Sequence, residues 1–158
     1  MPPRDQIIKE ESPAYDSRSN GLIESVIKSI QGKIRTMTDA LESRLGIKIK
    51  DEHPSLPWLV RHAGFIRSRF HIDESGRSPY EKWKGKSFKK ELVEFGERVM
   101  YYKSGITGNR KMETRWESGI WLGLRDESNE ALIGTPDGVI KARDVRRYGS
   151  EEERLGSR

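Results

Sequence analysis

The 158-residue chain has no cysteine. That excludes disulfides, thiolate metal sites and thiol nucleophiles, and it suits an intracellular setting. Apolar residues are also scarce: 33% are hydrophobic against 35% charged. No apolar run approaches the ~18 residues that a membrane span needs, so no membrane partner is expected. The opening stretch, MPPRDQIIKEESPAYDS, lacks the apolar segment of a signal peptide. So lean a composition predicts modest burial and frayed ends, although four Trp, five Tyr and four Phe can seed cores. No Ser/His/Asp or Cys/His set is readable, and no glycine pattern forms a phosphate loop. His53, His62 and His71 are nine residues apart, a step that puts the first two on opposite sides of a helix, so a histidine metal site is not expected.

What the chain does have is an uneven distribution of positive charge. The net charge is +5. Residues 21–110 hold eighteen basic and eleven acidic groups, whereas the stretches on either side are each close to neutral. Residues 61–90 are densest, with nine basic groups and three acidic. A basic middle fits a polyanionic partner, nucleic acid above all; it equally describes a solvated, lysine-rich surface.

From Gly21 the apolar residues Ile23, Val26, Ile27, Ile30, Ile34, Met37, Leu41 and Leu45 recur at three- and four-residue steps. That spacing predicts an amphipathic helix about 37 Å long, capped by Asn20 and stopped by Gly46. Opposite the stripe lie Glu24, Lys28, Gln31, Arg35 and Glu42. Read alone, Glu24 is an acid in a first turn, favoured by the helix dipole and paired with Lys28. A second helix is predicted over 56–70, with Trp58, Leu59, Ala63, Ile66 and Phe70 inward. Ser75-Gly76 marks a turn. SPYEKW (78–83) reads as a short helix capped by Ser78, with Pro79 first and Glu81 three after the cap.

Beyond Leu92 the helical period is lost. Strands are expected over 97–103, 117–125, 130–135 and 138–145, with a tight turn at TPDG (135–138), a polar loop over 105–115 and a patternless tail over 149–158. Four short strands with short connections predict a small barrel or curled sheet. Trp116, Trp121, Tyr101 and Tyr102 are either its core or a platform for stacked bases.

Several of these blocks, in this order and spacing, resemble a known family. Asn20-Gly21 followed by Glu24, and by Arg35-Thr36-Met37 on the same helix, is similar to the last helix of the catalytic core of retroviral-type integrases. SPYEKWKGK (78–86), EFGERVMYY (94–102) and ESGIWLGLRDESNEALIGTPDGVIKARDVRRY (117–148) resemble blocks of copia-type retrotransposon integrases, the last through Trp121-Leu122-Gly123 and Arg143-Asp144-Val145. The likeness covers roughly residues 12–148.

The resemblance implies an α+β chain. Residues 1–72 would be the end of an RNase H-like integrase core, contributing the long helix and the second helix. Residues 73–91 would be a basic linker with a short helix, 92–148 a small SH3-like β-barrel module, and 149–158 a disordered tail. It further implies DNA integration by polynucleotidyl transfer. In that chemistry three carboxylates hold two Mg2+ (or Mn2+) ions that activate a water or a 3′-hydroxyl. Glu24 would be the third, metal-ligating acid. Lys28, Gln31 and Arg35 along the same face, and Lys82, Lys84, Lys86, Lys89 and Lys90 beyond it, would contact DNA. The two upstream aspartates of the triad have no counterpart here, since only Asp5 and Asp16 precede Glu24. The expectation is therefore a polyprotein fragment that binds nucleic acid and is inactive alone, needing its metal only in a complete parent. It would rely on an oligomer or on that parent, and it would be nuclear if integrase-derived. The rival expectation is a non-enzymatic module that binds protein or nucleic acid.

Overall fold

The structure, a computed structural model, describes residues 17–103 and 115–149. The expected polar loop, apart from Arg115, and the expected tail, apart from Gly149, lie outside these residues. The described chain is α+β: three helices followed by a five-stranded antiparallel sheet.

Helix α1 spans Ser17–Leu45. It is already helical before Asn20, so Asn20 is not its cap, and its first turn holds no acid. Glu24 is therefore not a helix-start residue. Ser-Arg-Ser-Asn contains no proline or β-branched residue to stop a helix, and the small propensity costs of these residues do not break it. The other end falls where expected. Gly46 takes φ 67° and its N–H donates to the Glu42 carbonyl at 2.8 Å, the left-handed stop that glycine adopts without a Cβ penalty. The Glu42 carboxylate then accepts from the Ile49 N–H at 2.9 Å and from Lys48 Nζ at 3.0 Å, and these bonds lower its pKa.

Helix α2 spans Leu56–Phe70 and buries Leu59, His62, Ala63, Phe65 and Arg69. Phe70, expected inward, is 45% exposed. The buried arc is turned and widened because α2 packs on both α1 and the sheet, not along one seam. Helix α3 spans Pro79–Lys84; Ser78 caps it by accepting the Glu81 N–H at 3.1 Å, and Gly85 ends it at φ 74°.

The strands are β1 (Arg98–Tyr102), β2 (Trp116–Leu124), β3 (Ala131–Thr135), β4 (Gly138–Ala142) and β5 (Val145–Arg147), in the spatial order β4-β3-β2-β1-β5. The single strand expected over 138–145 is thus two, parted by Arg143-Asp144. Of the two forms expected, barrel or curled sheet, the barrel does not close: β4 and β5 are the two edges of an open sheet. Since β4 is antiparallel to β3 and β5 to β1, with β1 and β3 both antiparallel to β2, β4 and β5 point the same way. β5 prolongs β4 past a two-residue kink and does not lie beside it, so no ladder zips the edges together. The sheet is nevertheless strongly curled. Three peptide steps from Ala142 to Val145 reach at most about 11 Å, whereas the edges of a flat five-stranded sheet would stand about 19 Å apart. A bulge between Trp121 and Gly123, the latter at φ 128°, supplies part of that bend.

Strand alternation gives the sheet two faces. Val99, Tyr101, Trp121, Ile133 and Ala142 point one way and pack with Phe65 of α2. Leu122 and Leu132 point the other way and pack with Leu59 of α2, Leu41 of α1 and Phe95. The remainder of that second face, running along β1, β2 and β5, is left open by the described residues.

Candidate nucleic-acid interface

Glu24, Lys28, Gln31 and Arg35 are exposed on α1, as the sequence predicts. Among the described residues no three His, Asp or Glu side chains gather where they could hold a metal ion. Asp5 and Asp16 lie outside the described chain. The N-terminal half of α1 also shows apolar surface, with Leu22 68% exposed and Ile23 and Ile27 beside it, while Ile34, Met37 and Leu41 are packed.

Lys82, Lys84, Lys86, Lys89 and Lys90 are all exposed. Lys82 forms an ion pair with Asp73, and Lys90 donates to the Asn129 carbonyl. Trp83, 74% exposed, carries Lys84 Nζ at 4.0 Å from its ring centre. This segment is anchored by aromatic packing. Phe88 meets Phe65, Phe70 and Tyr80 edge-on at 5.5–5.8 Å. Over the Phe65 ring, at 3.8 Å, lies the buried guanidinium of Arg69, which also reaches Asp126 at 3.1 Å. A ring face and a carboxylate together hold the cation, although its buried Nε finds no hydrogen-bond partner among the described residues.

The four aromatic residues with two possible roles divide by strand parity. Tyr101 and Trp121 are core; burial and a hydrogen bond to Glu117 push the Tyr101 hydroxyl up to about 12. Tyr102 and Trp116 are opposed across the β1–β2 ladder on the open face, half-buried, with ring centres 5.4 Å apart. Arginines surround them. The Arg146 guanidinium lies 4.3 Å over Trp116, and Arg115 donates to the Tyr102 hydroxyl at 2.7 Å. Farther along, Arg98 stands 5.1 Å over Tyr148, whose hydroxyl is bonded to Ser118. Sequence reasoning missed Arg98, Arg115, Arg146 and Tyr148. Alternation along β1 (Arg98, Met100, Tyr102) and β2 (Trp116, Ser118, Ile120) carried the signal for part of this face, but the β1–β5 pairing that adds Arg146 is not local in sequence.

Two concavities open on this face. One, of about 410 Å³, is bounded by Tyr102, Trp116, Asp144, Val145 and Arg146. The other, of about 610 Å³, is an apolar groove between the helices and the sheet, lined by Leu41, Leu45, Trp58, Ile120, Leu122 and Val139 among others. No helix among the described residues is long and apolar enough to cross a membrane. Compared with protein-family models the chain matches none, and no curated protein matches it by sequence.

Proposed function

We propose that this chain is the nucleic-acid-binding part of a copia-type retrotransposon integrase, joining the end of an RNase H-like core to an SH3-like β module. The observation that carries the binding role is the open sheet face, where Arg98, Arg115 and Arg146 stand against Tyr148, Tyr102 and Trp116. Guanidinium groups meet phosphates and ring faces meet bases, and a surface rich in both is suited to a nucleic-acid chain. Lys84, Lys86 and Lys89, and the polar row Lys28, Gln31 and Arg35, are further exposed groups elsewhere on the chain. The integrase assignment rests on the sequence resemblance. In a complete parent Glu24 would supply one carboxylate of the Mg2+ or Mn2+ site; DNA would be the substrate, the nucleus the site of action, and another copy or the parent chain the cover for Leu22, Ile23 and Ile27.

A salt titration of duplex DNA binding tests the binding role. Each phosphate neutralised contributes about −0.9 to the slope of log K against log salt, so a steep slope is expected, reduced by Arg98→Ala and Arg146→Ala. Affinity indifferent to salt removes phosphate contact as its basis. Within a full-length parent, Glu24→Gln is expected to abolish strand transfer with folding intact; retained transfer removes Glu24 from the chemistry.

The apolar groove favours a second reading, a protein-interaction module. Capture of a protein partner that survives nuclease treatment and is lost in Ile120→Asp supports that reading over the first.

A further inference from the structure

We propose that the recess bounded by Tyr102, Trp116, Asp144 and Arg146 takes one unpaired nucleobase bearing an exocyclic amino group, cytosine in preference to thymine. The open face would then favour single-stranded over duplex nucleic acid. This rests on the nucleic-acid reading above and narrows it to a substrate class and a site.

The geometry supports the narrowing in three ways. In a duplex the base faces are hidden by stacking, so an aromatic ring has something to bind only when a base is unstacked. Trp116 already holds a planar cation, the Arg146 guanidinium at 4.3 Å. A base can take that place while the guanidinium turns to the adjoining phosphate. The decisive residue is Asp144. Its backbone carbonyl accepts the Tyr102 N–H at 3.0 Å, which fixes it at the rim of the recess. A carboxylate on a surface that only tracked phosphates would repel its ligand. A carboxylate accepts hydrogen bonds and donates none. It therefore pairs with the amino group of cytosine and opposes the carbonyl that thymine presents in the same position. The recess, of about 410 Å³, is within the range of small-ligand sites.

The experiment is fluorescence anisotropy with the full chain and labelled oligo-dC, oligo-dT and duplex DNA of equal length at one salt concentration. Expected is binding to oligo-dC at least about fivefold tighter than to oligo-dT, the worth of one base-edge contact. Trp116→Ala is expected to weaken oligo-dC binding at least about fivefold and duplex binding by much less. Asp144→Asn, an exposed substitution that keeps the fold, is expected to abolish the dC preference. Equal affinity for dC and dT, or Trp116→Ala weakening single strand and duplex alike, overturns the base site while salt-dependent duplex binding leaves the wider reading standing. Absence of salt-dependent binding to any of the three overturns both.

Discussion

Arg147 of β5 grips Glu97 at the foot of β1 with two parallel hydrogen bonds, Nε to Oε1 at 2.8 Å and Nη2 to Oε2 at 2.7 Å. Glu97 is 2% exposed. The pair ties the last strand, only three residues long, to the edge it must occupy. Removing one partner of a buried ion pair costs about 3–5 kcal/mol. Because Arg147 is itself partly exposed, Arg147→Ala is expected to cost about 2–3 kcal/mol. Arg147→Lys should recover only part of that, since an ammonium cannot form the two-pronged contact. Urea unfolding midpoints of the three proteins measure this; an unchanged midpoint for Arg147→Ala shows that β5 is held by other means.

His62 makes stability depend on pH. It is 2% exposed, ringed by Phe65, Phe95 and Trp121, and its Nδ1 has no hydrogen-bond partner among the described residues. Burial, aided by the adjacent Arg61 charge, lowers its pKa from 6.5 to about 4. Between these values the unfolded chain binds the proton and the folded chain does not. Stability is therefore full above pH 6.5 and falls as pH drops toward 4, by up to about 3 kcal/mol. His62→Leu should flatten that part of the profile in denaturant titrations at stepped pH. An equally steep fall in the variant assigns the acid sensitivity elsewhere.

Phe88 is the hub that docks α3 on α2, touching three rings edge-on. Phe88→Ala in a fully buried site would cost about 3–5 kcal/mol; here, half-buried, about 2–3 kcal/mol is expected. Hydrogen exchange should show Lys82 and Gly85 amides losing protection before those of α2. If they keep it, the Ser78 cap and the Lys82–Asp73 ion pair hold α3 without Phe88.

Gly96 cannot gain a side chain without a shift in its surroundings. Its φ is 81°, and a Cβ would stand 2.5 Å from Leu41 Cδ1. Gly96→Ala combines a left-handed backbone penalty of about 1–2 kcal/mol with displacement of α1 from the sheet. The expected result is a loss of at least about 2 kcal/mol. Adding Leu41→Ala should relieve the steric part, giving a combined loss smaller than the sum of the two single losses. Strict additivity means that Leu41 yields freely.

Local chemistry was legible in advance where it acts within a few residues. The Ser78 cap, Pro79 and Gly85 define α3 without help from elsewhere, and Gly46 ends α1 in the same way. Asn20 misled because a good capping residue is also tolerated on an exposed helix face; nothing local says which role it takes. The strand at 138–145 read as continuous because both halves run in one direction, and the kink at Arg143-Asp144 exists only because β5 has to reach β1. Of the candidate site, the α1 row and the lysine segment were legible as exposed polar residues. The arginine–aromatic face was not, because Arg98, Trp116 and Arg146 meet through strand pairing.

The sequence by itself determined that three helices precede a run of short strands, where α1 and α3 end, and the basic middle. Periodicity, caps, turn residues and charge act over a turn or two of chain, and no distant partner is needed to set them. Tertiary structure alone decided that the sheet stays open, that Tyr101 is core while Tyr102 is surface, and that His62 is buried neutral. Those outcomes depend on which edges pair and which faces α2 covers, and such pairings are settled by the packing of residues far apart in the chain.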